Sequence, residues 1–132
     1  MAGFAKLDEF LTPDYHPDIW YDLDLFHATD LLESLDTTGW EQLFVILPLR
    51  SNRWQERLAE AAYGFNDPRV LRLFRQLLQS SDINVALAAV AGLEAMADLG
   101  TPEPAMRARV EGLLTEAPPG YGPMLNSLLA RL

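Results

Sequence analysis

The sequence predicts an all-α protein, and three observations support this prediction. Apolar residues recur at helical spacing through residues 68–79, with polar residues on the opposite face. Asp67 and Asp82 each stand just before an apolar segment, at the N-cap position that aspartate favours. A pattern of helix, polar turn and helix recurs after 30 residues. Together they predict a short α-solenoid of antiparallel helix pairs, preceded by an atypical acidic N-terminal cap.

The predicted helices follow one another with short polar connections. Residues 4–11 read as one short helix, and residues 22–36 as one or two helices, with Thr29 as a candidate cap. The main helices are expected near 40–49, 53–65, 68–79, 83–98 and 103–116. A last amphipathic segment follows in residues 118–132.

The internal repeat becomes visible when the sequence is shifted by 30 residues. The shift superimposes Leu43 on Leu73, Phe44 on Phe74, Leu47 on Leu77 and Ala59 on Ala89. Residues 83–97 are apolar except for Asn84 and Glu94, which indicates a helix covered on more than one side. Its small residues Ala89 and Gly92 predict a close helix–helix contact.

The segment AEAAYGFNDPRVLRLFRQLLQSSDINVALAAVAGLEAM (59–96) resembles a HEAT-type repeat. The resemblance rests on a small-residue helix, the DPR start of the next helix, the SSD turn and a second alanine-rich helix. It implies one helical-repeat domain over residues 1–132, and a function in binding rather than in catalysis. The domain would comprise an acidic cap (1–39), HEAT-like repeats (40–117) and a C-terminal capping helix (118–132). Ala86 stands where the family often has arginine, which weakens the expectation of the usual polar ladder between repeats.

Composition excludes several kinds of site. The chain has no cysteine, so it forms no disulfide, no thiolate metal site and no cysteine nucleophile. The longest apolar runs, 43–49 and 85–93, are far shorter than a membrane-spanning helix. The first ten residues lack the apolar stretch of a secretory signal. These features predict a cytoplasmic protein without a membrane partner.

The negative charge is concentrated in the first third of the chain. Residues 1–49 hold ten acidic residues against Lys6 alone, and therefore carry the whole net charge of −9. Such asymmetry bears on partners and association rates. It argues against a nucleic-acid ligand, which requires a basic face, and predicts a basic protein partner.

No constellation of residues predicts catalysis. The histidines are His16 and His27, and the serines at 51 and at 80–81 fall in turns where capping explains them. A metal site built from the histidines and the acids between them matches no defined ligand spacing. The arginine sets at 50, 53 and 57 and at 69, 72 and 75 favour exposed faces with local ion pairs over an anion site. We therefore expect no enzyme activity, no metal and no cofactor.

The segment YHPDIWYDLDLF (15–26) combines acids with aromatic residues, as protein-binding surfaces do. Two interpretations stay open: Trp20 contacts a partner, or Trp20 and Phe26 close the open end of the solenoid. The predicted contact residues are Asp18, Trp20, Tyr21, Asp22, Asp24, Asp30, Glu33 and Asp36. If they are not the contact, the concave face of the helices at 53–65 and 83–98 is the next candidate.

In size, charge and predicted architecture the chain resembles small acidic bacterial toxin-immunity proteins. This resemblance implies an inhibitor, monomeric when free, that neutralises a basic toxin or effector domain. Three alternatives remain: an acidic secretion chaperone, a HEAT-like accessory subunit of an enzyme, and a purely structural repeat fragment.

Overall fold

A computed structural model describes residues 3–13 and 20–132, except for the side chains of Asp22 and Leu23. In this part of the chain there are eight α-helices and no β-strand, so the all-α prediction is confirmed. The helices form two compact units, Met1–Ala62 and Tyr63–Leu132.

The first unit contains four helices and two short irregular turns. They are α1 (Phe4–Leu11), a π-helical turn (Trp20–Asp24), α2 (Leu25–Glu33), α3 (Thr37–Ile46), a 3-10 turn (Leu47–Leu49) and α4 (Asn52–Ala62). Helix α2 packs against α1 and α4, while α3 packs against α1. The core consists of fully buried leucines from all four helices, among them Leu7, Leu32, Leu43 and Leu58.

Local sequence signals explain where α3 and α4 begin and end. Asp36 caps α3, since its side chain accepts a hydrogen bond of 2.7 Å from the backbone N–H of Gly39. Helix α3 ends at Ile46, three residues before the predicted end, and a 3-10 turn containing Pro48 follows. Proline has no N–H to continue the helical ladder. The hydroxyl of Ser51 then accepts a hydrogen bond from Trp54 N–H at the start of α4.

The prediction that Thr29 caps a helix is wrong. Thr29 lies inside α2, and its hydroxyl donates a 3.0 Å hydrogen bond to the carbonyl oxygen of Ala61 in α4. A threonine hydroxyl within a helix can bond to a neighbouring helix when one is within reach. Here the bond joins α2 to the helix against which it packs.

The second unit consists of two helical hairpins. Its helices are α5 (Pro68–Leu78), α6 (Ile83–Ala95), α7 (Pro104–Glu116) and α8 (Gly122–Arg131). Short connections make α5 and α6 antiparallel, and likewise α7 and α8. Helix α5 also contacts α7, and α6 contacts α8, so the hairpins stack. The predicted caps are confirmed: Asp67 accepts a hydrogen bond from Arg69 N–H (2.7 Å), and Asp82 from Val85 N–H (3.1 Å).

The expected close contact around Gly92 is confirmed. Ala89 and Gly92 are buried in α6, and Gly92 faces the ring of Phe74 in α5. A Cβ atom added to Gly92 would overlap this ring. Glycine therefore lets the two helices of the first hairpin approach each other closely.

Arginines of the second hairpin bond to the helix ends of the first. Arg109 in α7 donates to the carbonyl oxygens of Leu78 and Ser80, at 3.2 and 2.8 Å. Arg131 in α8 donates to the carbonyl oxygen of Glu94 at 2.9 Å. The C-terminus of a helix has unsatisfied carbonyls and a negative dipole end, so a guanidinium stabilises it. Polar links between hairpins thus exist although Ala86 replaces the expected arginine.

The pairing that the repeat predicts differs between the units. In the second unit the predicted hairpin α5–α6 is present, whereas in the first unit α4 packs chiefly against α2 instead of α3. The repeat reflects shared spacing of apolar and small residues, and such spacing makes a helix amphipathic without selecting its partner. A HEAT-like solenoid through residues 40–117 is therefore not established.

We predict that Gly92→Ala destabilises the protein by about 1–3 kcal/mol, because the added methyl group must displace the Phe74 ring. Chemical denaturation measures the loss. Phe74→Leu in the same chain should recover part of it, which makes the coupling of the two positions measurable. Full stability of Gly92→Ala would contradict the close contact.

Gly112 in α7 provides the matched control. An added Cβ atom meets nothing within 4 Å there, and the residue is exposed. Gly112→Ala should therefore stabilise the protein by about 0.5–1 kcal/mol through helix propensity alone.

Candidate protein-binding surface

A stripe of polar contacts along α4 holds the N-terminal segment in place. Asp8 of α1 accepts hydrogen bonds of 2.8 and 2.6 Å from the Arg50 guanidinium and of 3.1 Å from Trp54 Nε1. One helical turn further along, Arg57 donates to the carbonyl oxygen of Pro13 at 2.6 Å. Trp54 and Arg57 are three residues apart in α4 and share one side of it, whereas Arg50 lies just before the helix.

Trp20 is part of this anchoring and is not on the surface. Its indole N–H donates to Glu60 at 3.0 Å, and the Arg57 guanidinium lies 5.1 Å from the centre of its ring. Only 2% of Trp20 is exposed. The prediction that Trp20 contacts a partner is therefore corrected: a buried indole offers a partner almost no area and instead contributes to the packing of the first unit.

Helix α2 presents the exposed surface that Trp20 does not. Phe26 is 69% exposed, and Asp30 and Glu33 follow it at i+4 and i+7. These three side chains share one face of the helix, which we call the α2 stripe. The opposite face, with Ala28 and Leu32, is buried. An aromatic residue in water beside two carboxylates combines apolar contact area with negative charge.

The other predicted contact residues differ in their exposure and in their hydrogen bonds. Tyr21 is 53% exposed, whereas Asp24 is half-buried and its Oδ2 has no hydrogen-bond partner in the part of the chain that the structure describes. Asp36 is exposed but uses one oxygen to cap α3. Asp18 lies outside the described residues, as does the side chain of Asp22.

Phe26 is a contact candidate that the sequence did not single out, since one of the two open interpretations used it to close the end of the solenoid. Its spacing to Asp30 and Glu33 was a usable signal, because residues at i, i+4 and i+7 lie on one face. In the structure Trp20 is buried and Phe26 is exposed. The turn at Trp20–Asp24 decides this, since it directs the indole towards α4.

Glu60 also affects Tyr21. Burial raises the pKa of the Tyr21 phenol, and the neighbouring charge and hydrogen bond of Glu60 raise it further. A phenolate beside a carboxylate would be repelled, so the neutral phenol is favoured. Glu60 thus acts on both aromatic side chains of the turn: it accepts the indole N–H of Trp20 and favours the neutral phenol of Tyr21.

Other side chains that could bind metals or take part in catalysis form packing contacts and ion pairs. His27 stacks on Phe10, with ring centres 4.6 Å apart and an interplanar angle of 26°. In residues 3–13 and 20–132, no group of three His, Cys, Asp or Glu side chains is arranged to hold a metal ion. Arg69 pairs with Asp67, two residues before it, as local ion pairing predicts, whereas Arg50 pairs with Asp8, which is 42 residues away in the sequence.

No helix within the described ranges is both long and apolar enough to cross a bilayer. Comparison of the chain with models of known families, with characterised proteins and with solved structures finds no match.

We predict opposite effects for two aromatic substitutions. Trp20→Ala should cost about 3–5 kcal/mol of unfolding free energy, because it leaves a cavity and removes a partner of Glu60. Phe26→Ala should change stability by less than about 0.5 kcal/mol, because the ring is exposed. Denaturation curves of both variants test whether Trp20 is buried and Phe26 exposed. If Trp20→Ala is as stable as the wild type, the indole is not part of the core.

The raised pKa of Tyr21 predicts a pH effect. The folded state binds the phenolic proton more tightly than the unfolded state. The resulting stabilisation is present below about pH 10, the ordinary tyrosine value, and is lost as pH rises through the higher folded pKa. The unfolding free energy of Tyr21→Phe should therefore fall less steeply above pH 10 than that of the wild type. Equal slopes would contradict the burial and the Glu60 contact.

Proposed function

We propose that the protein is a non-catalytic binding protein that inhibits a basic partner through the α2 stripe. The observation that carries this proposal is the exposed Phe26, followed on the same helix face by the carboxylates of Asp30 and Glu33, which form no ion pair with a described residue, within a strongly acidic unit. More specifically, we propose that it is an immunity protein that neutralises a basic toxin or effector domain.

The distribution of charge over the two units supports a basic partner. Met1–Ala62 contains twelve acidic and four basic residues, a net charge of −8, whereas Tyr63–Leu132 contains seven and six, a net charge of −1. A charged unit attracts an oppositely charged protein and accelerates encounter, while it disfavours acidic partners. The nearly neutral second unit does not add to this attraction.

The α2 stripe has the composition of a contact site. Asp30 and Glu33 are exposed, and neither carboxylate forms an ion pair with a described residue. Both are available to arginine or lysine of a partner, and Arg–carboxylate pairs can form two parallel hydrogen bonds. Phe26 supplies apolar area that the association would bury.

The side chains that could serve catalysis are used for structure, which supports a binding role. The hydroxyls of Ser51 and Ser80 accept backbone hydrogen bonds at turns, and that of Thr29 donates to Ala61. The imidazole of His27 stacks on a phenylalanine. None of these groups is arranged as a nucleophile beside a base.

The finer fold assignment, a HEAT-like protein, belongs to the same proposal. Its support is the stack of two helical hairpins in Tyr63–Leu132, with arginines linking one hairpin to the next. Stacked hairpins form rigid surfaces on which binding functions are common. We infer that this unit is the scaffold and that the acidic unit provides recognition.

The test begins with isolation of the partner by native co-purification and continues with stopped-flow binding at low and high salt. Replacing Asp30 and Glu33 by Asn and Gln should slow association and flatten its salt dependence, because steering charges act on encounter. Phe26→Ala should instead accelerate dissociation, at a cost of about 2 kcal/mol.

A charge-matched control distinguishes steering from total charge. Glu111 and Glu116 of α7 are exposed, and replacing both by Gln removes the same charge from the other unit. This variant should associate like the wild type. Equal slowing by both variants would show that the α2 stripe has no special role.

The identity of the partner separates the alternatives. A tight basic enzyme whose activity falls at one equivalent supports the inhibitor. An unfolded client indicates a secretion chaperone, and an enzyme that remains active in the complex indicates an accessory subunit.

A further inference from the structure

A second exposed feature of the first unit is an open groove between α1 and α3. It has a volume of about 580 Å³ and is lined by Phe4, Ala5 and Asp8 of α1, by Thr38, Glu41, Gln42, Val45 and Ile46 of α3, and by Arg50. The α2 stripe contributes no residue to it. The groove is therefore a separate place where a partner could make contact.

The groove presents apolar side chains to solvent. Val45 is 74% exposed in the groove, and Leu49, in the following 3-10 turn, is 73% exposed but does not line the groove. Exposed aliphatic side chains next to each other lose contact with water when a partner covers them, and each contributes to binding through that burial. Neither side chain has a role in the core of the unit.

The polar groups of the groove differ in their availability. Asp8 already accepts hydrogen bonds from Arg50 and Trp54. Glu41 is exposed and forms no ion pair with the described part of the chain. One carboxylate is thus open to a cation, one helical turn from Val45.

The shape favours a helix over a small molecule. Sites for small ligands bury most of the ligand surface, whereas Val45 stands largely in solvent at the edge of this groove. A groove between two helices with an apolar floor accepts the apolar face of an amphipathic helix. A second copy of the chain is disfavoured, since each copy carries a net charge of −9.

We propose that the α1–α3 groove binds an amphipathic basic helix of the partner. Leucine-type side chains of that helix pack on Val45 and Ile46, and a lysine or arginine beside them pairs with Glu41. This inference rests on the proposed function in one respect, the basic character of the partner. The complex then has two contacts: the α2 stripe and an apolar anchor in the groove.

The experiment uses the full chain, labelled with ¹⁵N, and a model peptide in place of the unidentified partner. The peptide has about 15 residues of leucine and lysine spaced to form an amphipathic helix. A second peptide, with glutamate in place of lysine, tests the charge. We expect saturable amide shift changes in α1 and α3 with the lysine peptide only.

Three variants assign the site. Val45→Asn and Glu41→Gln should each weaken binding of the lysine peptide, the former by about fivefold or more. Both residues are exposed, so the variants should fold normally. Leu114→Asn, which changes an exposed leucine of α7, is the matched control and should bind like the wild type.

Several outcomes would overturn the inference. They are no saturable binding, equal binding of the glutamate peptide, shifts confined to α2, and concentration-dependent shifts at Val45 without peptide, which would indicate a second copy.

The Asp30→Asn, Glu33→Gln variant separates the two proposals. If it abolishes peptide binding while Val45→Asn does not, the peptide binds at the α2 stripe and the proposed groove site is wrong. If the groove variants weaken binding but the α2 variant leaves association with the native partner unchanged, the groove stands and the proposed function fails.

Discussion

The carboxylate of Asp8 is the contact on which the first unit depends. It is about three-quarters buried and accepts hydrogen bonds from the Arg50 guanidinium and the Trp54 indole. A buried carboxylate is tolerated only when charge and hydrogen bonds compensate its lost hydration. Because the three residues come from α1, from the end of α3 and its turn, and from α4, satisfying Asp8 requires these elements to meet. This requirement determines which segments form the walls of the groove and where α4 begins.

Further along α4, polar contacts likewise hold neighbouring segments in place and leave other side chains exposed. Arg57 and Glu60 engage the segment before α2, and Thr29 binds the end of α4. These contacts bury Trp20 and turn α2 so that Phe26, Asp30 and Glu33 face water. The acidic composition of the first unit thus has two physical roles. Asp8 and Glu60 hold the fold, whereas Asp30, Glu33 and Glu41 remain available for a partner.

The second unit is stabilised by a different means. The two helices of its first hairpin approach each other closely at Gly92, which faces the Phe74 ring, and guanidinium groups of the second hairpin satisfy helix ends of the first. Arg75 likewise donates to the carbonyl oxygens of Leu99 and Thr101, which holds the connection after α6. These guanidinium groups bond to neutral carbonyl oxygens, and the six basic residues of the unit balance nearly all of its seven acidic ones.

Several elements were predictable from sequence because their causes are local. Asp67, Asp82 and Pro68 define helix starts through capping and backbone geometry, and the spacing of apolar residues defines α5 and α6. The small residue Gly92 predicted a close contact, since only the absence of a Cβ atom lets a ring approach so closely. The excess of acid in the first third was evident from composition alone.

Helix pairing and the exposure of single aromatic residues required the tertiary structure. The 30-residue repeat makes α3 and α4 resemble α5 and α6, yet α4 packs on α2, because amphipathic helices of similar pattern can bury their apolar faces on different neighbours. Trp20 and Phe26 are both large, apolar and flanked by acids, so sequence cannot rank their burial. Glu60, 40 positions away, and Arg57, 37 positions away, decide it: they offer Trp20 a hydrogen bond and a cation–π contact, and no described residue does the same for Phe26. Local chemistry determined which segments are helices, and long-range polar partners decided which side chains face water.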